Sequence, residues 1–272
     1  MAGVDVSVVI PTFRRPAELR EALKSVLGQT RVRDVTVVDD SPEGSAESAV
    51  AEANDRRVTY LRNPVPTGGR AGVVRNLGWP KGSGTFIHFL DDDDIVPAGH
   101  YDAAIREFED HSGVGVVFGR IEPFGPTASD EQMRHERDFF STAARRAASC
   151  ERLGALTQRA FSARMFFDAT MLVCSAGLVR RACVESTGGF DPELKLMEDV
   201  EFYARVIRRF GARFMDRVCL NYRIGPSLMH SSPDETVVAH AYKRMHARYK
   251  ADWGLLDFYA SKILARTALR TL

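Results

Sequence analysis

The chain is 272 residues long, 44% hydrophobic and 27% charged, which suits one large globular domain or two tightly joined halves. Its 37 Lys and Arg against 36 Asp and Glu leave a net charge of +1, which argues against a general nucleic-acid binder. Cys150, Cys174, Cys183 and Cys219 form no CxxC pair and no metal-like spacing, so they read as reduced thiols of a cytoplasmic protein, and no apolar run is long enough to span a bilayer.

The opening MAGVDVSVVIPTF lacks a basic n-region and a long apolar stretch, so it is not expected to be a signal peptide. VSVVI (6–10) predicts a strand closed by Pro11. Leu19, Ala22, Leu23, Val26 and Leu27 then recur at helical spacing, with Pro16 in the first turn. VTVVD (35–39) predicts a second strand and residues 45–55 a helix with Ser45 as N-cap. VTYLRN (58–63) is a third strand, and NPVPTGG leads into a helix from Arg70 to Trp79. TFIHFL (85–90) is a fourth strand, and it delivers four consecutive aspartates, Asp91 to Asp94.

The second half is less regular. VGVVFGRIEPF (114–124) predicts a strand, residues 128–165 a polar, Arg-rich helical insertion, and TMLVC (170–174) another strand. LVRRACVEST reads as helix. Val200, Tyr203, Val206, Ile207 and Phe210 form the apolar face of a helix that Gly211 stops, with Asp199 in its first turn. RFMDRVCLNYRI (213–224) predicts a strand and 234–272 a C-terminal helix.

Apolar strands joined by helices imply a mostly parallel sheet covered on both faces. Ligands of such sheets bind outside the carboxyl ends of the strands. Two acidic clusters fall there: Asp39 with Asp40, and Asp91 to Asp94. Adjacent carboxylates repel by about 1 kcal/mol at 4 Å in water and about 4 near a protein surface. A divalent cation relieves that most simply, and Mg²⁺ typically takes one or two carboxylates plus substrate phosphates. The plainer alternative is a solvated acidic turn. Asp199 has two readings as well, complement to a helix dipole or general base. His230 is a metal-ligand candidate by chemistry and a structural histidine by frequency, and Arg70, beside Gly68 and Gly69, can face phosphate or solvent. GxGxxG, GxxxxGK[ST], HExxH and GxSxG are all missing, which disfavours dinucleotide oxidoreductases, P-loop enzymes, zincins and α/β-hydrolases.

VSVVIPTFRRPAELREALKSVLGQT, VTVVDDS, GGRAGVVRNLGW, FLDDDDIVP and GGFDPELKLMEDVEFYARVIRRFG, in this order and spacing, resemble the family 2 glycosyltransferases of GT-A fold over roughly residues 5 to 225. The resemblance implies a Rossmann-like, mostly parallel central sheet with C-terminal helices. It implies an inverting, metal-dependent transfer of a sugar from a nucleotide donor, a UDP-sugar above others, to an acceptor hydroxyl. Pro11, Thr12 and Phe13, with Arg14 nearby, would pack on the nucleotide, and Asp40, in preference to Asp39, would bind the base. Arg70, with Arg75 in reserve, would approach base or diphosphate. The DxD motif falls on Asp91-Asp92-Asp93: Asp93 would hold Mg²⁺ or Mn²⁺, Asp91 and Asp92 would contact donor, and Asp94 would support them. The ED pair is Glu198-Asp199, with Asp199 as base, and His230 would complete the metal or diphosphate site.

The implied organisation is a nucleotide-sugar half (1–124), an acceptor and catalytic-base half (125–232) with its helical insertion at 125–165, and a helical extension (233–272). A nucleotidyltransferase of similar fold and a non-catalytic nucleotide-sugar-binding protein are the rival readings. IPTFRRP where a nucleotidyltransferase carries a glycine-rich basic loop counts against the first. The surviving carboxylates count against the second. FYASKILARTALRTL mixes apolar and basic residues, which suits peripheral contact with the inner membrane face, packing on the domain, or a homodimer contact.

Overall fold

The computed structural model describes residues 5–167, 171–225 and 235–266. A seven-stranded sheet, ordered β3-β2-β1-β4-β6-β5-β7, organises them. β1 (Val6–Thr12) is buried over its whole length and pairs in parallel with β2 (Val32–Asp39) and β4 (Phe86–Phe89). β2 pairs in parallel with β3 (Val58–Arg62). Both faces of this sheet are covered, which is why its strands read as continuous apolar runs.

α1 (Pro16–Leu27) buries Leu19, Ala22, Leu23 and Val26. α2 (Glu47–Ala53) is shorter than the helix expected over 45–55, and Ala46, not Ser45, precedes it. The tip of β2 does the capping instead: the Asp39 carboxylate accepts from Ala46 N–H at 2.8 Å, and the Ser41 hydroxyl accepts from Ser45 N–H at 2.8 Å. α3 (Ala71–Gly78) lies tight on the sheet. A Cβ at Gly78 would stand 2.5 Å from Val9 Cγ1 and 2.9 Å from Val38 Cγ2, closer than packed carbons approach.

α4 (His100–Asp110) leads to β5 (Val116–Phe124). α5 (Asp130–Glu151) starts with a capping box between Ser129 and Gln132 and buries Phe140, Ala143 and Ala147; α6 (Thr157–Phe167) follows it. Within TMLVC, Met171–Cys174 form no strand. Residues 171–173 have no regular structure and Cys174–Ala176 form a 3₁₀ turn, whose flanking carbonyls, of Cys174 and Gly177, accept from the Tyr203 hydroxyl. The strand begins only at Leu178, where helix was expected: β6 (Leu178–Arg180) runs antiparallel between β4 and β5, and only then does α7 (Arg181–Thr187) begin. α8 (Glu198–Phe210) and β7 (Ala212–Arg223), parallel to β5, complete the sheet region. α9 (Glu235–Arg266) is bent at Gly254, where φ is 82°. Among the described residues no helix is long and apolar enough to cross a membrane.

Candidate active site

The carboxyl ends of β1, β2 and β4 lie side by side, so Thr12, Asp39–Asp40 and Asp91–Asp94 face one edge of the sheet. The two acidic tips are held in different ways.

At the end of β2 every carboxylate oxygen has neutral donors. Asp39 accepts from Ser41 N–H and Oγ, Ala46 N–H and the Tyr60 hydroxyl. Asp40 accepts from Asn63 Nδ2 at 2.7 Å, Thr67 N–H and Oγ1, and Gly69 N–H. Although buried, Asp40 is held below the usual carboxylate range: burial raises its pKa, and the bonds from Thr67, Asn63 and Gly69 outweigh it. Asp40 thus folds the Asn63–Gly69 loop against the strand end.

At the end of β4 guanidinium groups join the neutral donors. Asp91 Oδ1 accepts from Arg75 Nη2 at 2.6 Å, and Asp91 N–H donates to Ser175 Oγ. Asp92, nearly buried, accepts from Thr12 Oγ1 at 2.7 Å and from Arg15 Nη1 at 3.3 Å. The same Arg15 Nη1 reaches Asp93 Oδ2 at 2.6 Å. Asp94 is fully buried; its Oδ1 accepts from Arg223 N–H, and its Oδ2 has no partner. Arg223 Nε also donates to the Asp93 carbonyl. Burial and the neighbouring Asp93 push the Asp92 carboxyl up to about 7, and burial with crowding by the other aspartates raises Asp93 and Asp94 too. The tip is short of positive charge.

The β4 tip is tied to α8 through Arg75. This buried guanidinium donates to Asp91 and, at 2.9 Å through Nη1, to Glu198 Oε1, and it lies 5.3 Å from the Phe190 ring centroid. Gly72, one turn earlier on α3, leaves room: a Cβ there would meet Glu198 Cγ at 2.9 Å. Asp199 follows in the first turn of α8, its Oδ1 accepting from Val200 N–H. Burial and Glu198 push its carboxyl up to about 7. Met197, just before this helix, takes a left-handed φ of 62°, costly for a side chain with a Cβ.

The remaining candidates are distributed unevenly. Pro11 is buried in β1, and the Thr12 hydroxyl is on Asp92. Arg14, with a φ of 58°, turns outward to Glu43 and away from the aspartates. Arg70 donates to the Pro192 carbonyl, and it is Arg75 that reaches the acidic tip. His230 lies outside the described residues. Sequence reasoning missed Arg15, Arg223 and Ser175. IPTFRRP already put Arg15 one residue from Arg14, but pairings 77 to 130 residues apart carry no local signal.

Among the described residues no group of three or more Asp, Glu, His or Cys side chains is arranged to hold a metal ion. The donor set nevertheless fits a hard cation that takes one or two carboxylates and completes its shell with phosphate and water: adjacent oxygen donors, a buried Asp94 oxygen without a partner, and carboxyl groups raised by their neighbours.

Comparison with known proteins follows this architecture. The chain is 32% identical over 117 residues to the GalNAc(5)-diNAcBac-PP-undecaprenol beta-1,3-glucosyltransferase of Campylobacter jejuni, covering 42% of this chain and 37% of that protein. The chain therefore spans little more than a third of the length of that relative. Its fold matches S. aureus TarS 1-349 in complex with UDP-GlcNAc, with a TM-score of 0.61 at 16% identity over 97% of this chain and 80% of that one. It likewise matches the mannosyltransferase PcManGT of Pyrobaculum calidifontis in complex with GDP-Man and Mn²⁺, with a TM-score of 0.61 at 18% identity over 97% and 69% of the two chains. The α/β architecture is thus the GT-A fold that the sequence resemblance implied. The profile described as "Glycosyl transferase family 2" matches residues 7–184, about two thirds of the sequence, and the chain belongs to that family.

Proposed function

We propose that this site moves a sugar from a nucleoside-diphosphate donor to an acceptor hydroxyl in one inverting displacement, with Asp199 as general base. The observation that carries the reading is the Arg75 bridge. One buried guanidinium spans 2.6 Å to Asp91 and 2.9 Å to Glu198, joining the strand-tip acids to the helix turn that bears Asp199.

The roles follow from position and charge. Thr12, Asp40 and the loop that Asp40 folds form the nucleotide side. Asp93, with Asp91 or Asp92 and the donor phosphates, would hold Mg²⁺ or Mn²⁺, and the ion supplies Lewis-acid neutralisation of the leaving diphosphate when bound. Arg15, already on Asp92 and Asp93, adds a cation beside the same phosphates. Asp199, pushed up to about 7, is matched to accepting a proton near neutral pH. Glu198 stays on Arg75, so the two adjacent acids have separate duties. A single base and no enzyme nucleophile give inversion. The fold neighbours with bound UDP-GlcNAc, and with GDP-Man and Mn²⁺, support a nucleotide-sugar donor and a divalent cation. The Campylobacter relative, named for a diphosphoundecaprenol-linked acceptor, supports a saccharide hydroxyl on a lipid carrier.

Asp199→Asn tests the reading. Transfer should fall by about 10²- to 10⁴-fold while nucleotide affinity, measured by calorimetry, is retained. In the wild type kcat should rise with pH and level off above about 7, as Asp199 loses its proton. Wild-type turnover in the variant sinks the base assignment.

A further inference from the structure

Nine large hydrophobic side chains are exposed among the described residues, and four of them crowd into the last stretch of α9, after the Gly254 bend. Leu255 is 60% exposed, Leu256 90%, Tyr259 54% and Ile263 62%. Their spacing puts them along one outward stripe, while Phe258, Ser261 and Ala265 occupy the inward face and are buried. The segment is therefore docked on one side and apolar on the other.

Its charges are sorted in the same way. Asp257 is the one acid between Gly254 and Arg266, and it points inward, paired with Arg159 and Arg208 and accepting from the Tyr249 hydroxyl. Half-buried Lys262, its Nζ 5.9 Å from the Phe258 ring centroid, and exposed Arg266 border the outward stripe. Asp252, before the bend, already faces Arg248.

We propose that the outward face of residues 255–266 docks on an anionic lipid bilayer, with Leu255, Leu256, Tyr259 and Ile263 in the interface and Lys262 and Arg266 against acidic headgroups. A basic, amphipathic helix with an aromatic residue in its apolar stripe has the composition that lies in the plane of such an interface. Each cation near the surface adds to the attraction. Charge favours lipid: the one acid between Gly254 and Arg266, Asp257, is turned inward onto Arg159 and Arg208, so the outward face presents cations and no carboxylate. The inference rests on this face alone and is independent of the catalytic reading.

Co-sedimentation of the full chain with vesicles tests it. Wild type should bind vesicles of phosphatidylglycerol and phosphatidylcholine, bind pure phosphatidylcholine at least about tenfold more weakly, and be released by salt. Leu256→Glu with Ile263→Glu should abolish binding, and Lys262→Glu with Arg266→Glu should weaken it at least about tenfold on the charged vesicles. All four positions are exposed or half-exposed, so thermal melting of both variants should match wild type. Failure of wild type to bind charged vesicles overturns the proposal, as does unaltered binding by either variant. So does a wild-type dimer that Leu256→Glu with Ile263→Glu splits into monomers, which would assign the face to a second copy.

Discussion

The ends of β2 and β4 each carry neighbouring aspartates, and they use them in opposite ways. Asp39 and Asp40 are saturated by neutral donors: peptide N–H groups, hydroxyls and the Asn63 amide. Asp91, Asp92 and Asp93 lean on two guanidiniums, and Asp94 leaves an oxygen unpaired. Neutral donors built into the backbone make a carboxylate part of the scaffold. Borrowed cations leave it ready to exchange partners with a positively charged ligand, because another cation can take the place of a side chain. An acidic cluster is thus informative through what neutralises it more than through its number of charges.

The contrast can be broken most forcefully at Arg75. Arg75→Met should strip Asp91 and Glu198 of a shared buried partner at a cost of about 3–5 kcal/mol, seen as a drop in Tm of roughly 10 °C. A melting curve like wild type would mean that the two acids do not depend on this bridge.

A smaller loss is expected at the other tip. Asp40→Asn should cost about 1–3 kcal/mol, because an amide cannot receive all four donors and brings donors of its own. Its pH signature is equally specific. Asp40 is held below its ordinary value when folded, so its contribution is present above the unfolded-state pKa and is lost as pH falls through the folded one. Denaturant melts should lose this acid-side decline in the variant; an unchanged slope below about pH 4 would remove Asp40 from the scaffold.

The mildest effect sharpens the comparison by its sign. Asp92 is raised to about 7, so between the ordinary carboxylate value and 7 the folded state binds the extra proton. Stability from this group is present at low pH and is lost as pH rises towards 7, the reverse of Asp40. Asp92→Asn should therefore lift Tm by a few degrees at pH 8 and not at pH 4. A Tm lowered at pH 8 would show that Thr12 and Arg15 outweigh the repulsion.

Local signals account for what the sequence disclosed. Strand and helix periodicity placed the first four strands, and the acids stood out because they end apolar runs. The partners were hidden, since Arg15 and Arg223 meet the aspartates only once strands far apart in the chain pair. Arg75 had a faint signature in GGRAGVVRNLGW: glycines three residues before and after it mark the face of a helix pressed against its surroundings. TMLVC misled because a short, mostly apolar run does not distinguish a strand from a buried turn, and the Tyr203 hydroxyl that bonds the turn comes 29 residues after Cys174.

The three-residue strand β6 has a consequence for how the protein comes into being. It pairs with both β4 and β5 and directly follows the turn whose Ser175 accepts the Asp91 N–H. During synthesis the acidic tip exists from residue 94 onward, yet its clamp must wait for more than eighty further residues. Such long-range closure belongs late in folding. A truncated chain ending before the Cys174–Ala176 turn would carry Asp91 to Asp94 and still lack the Ser175 tether, so the acidic tip is fixed only once the chain has passed that turn.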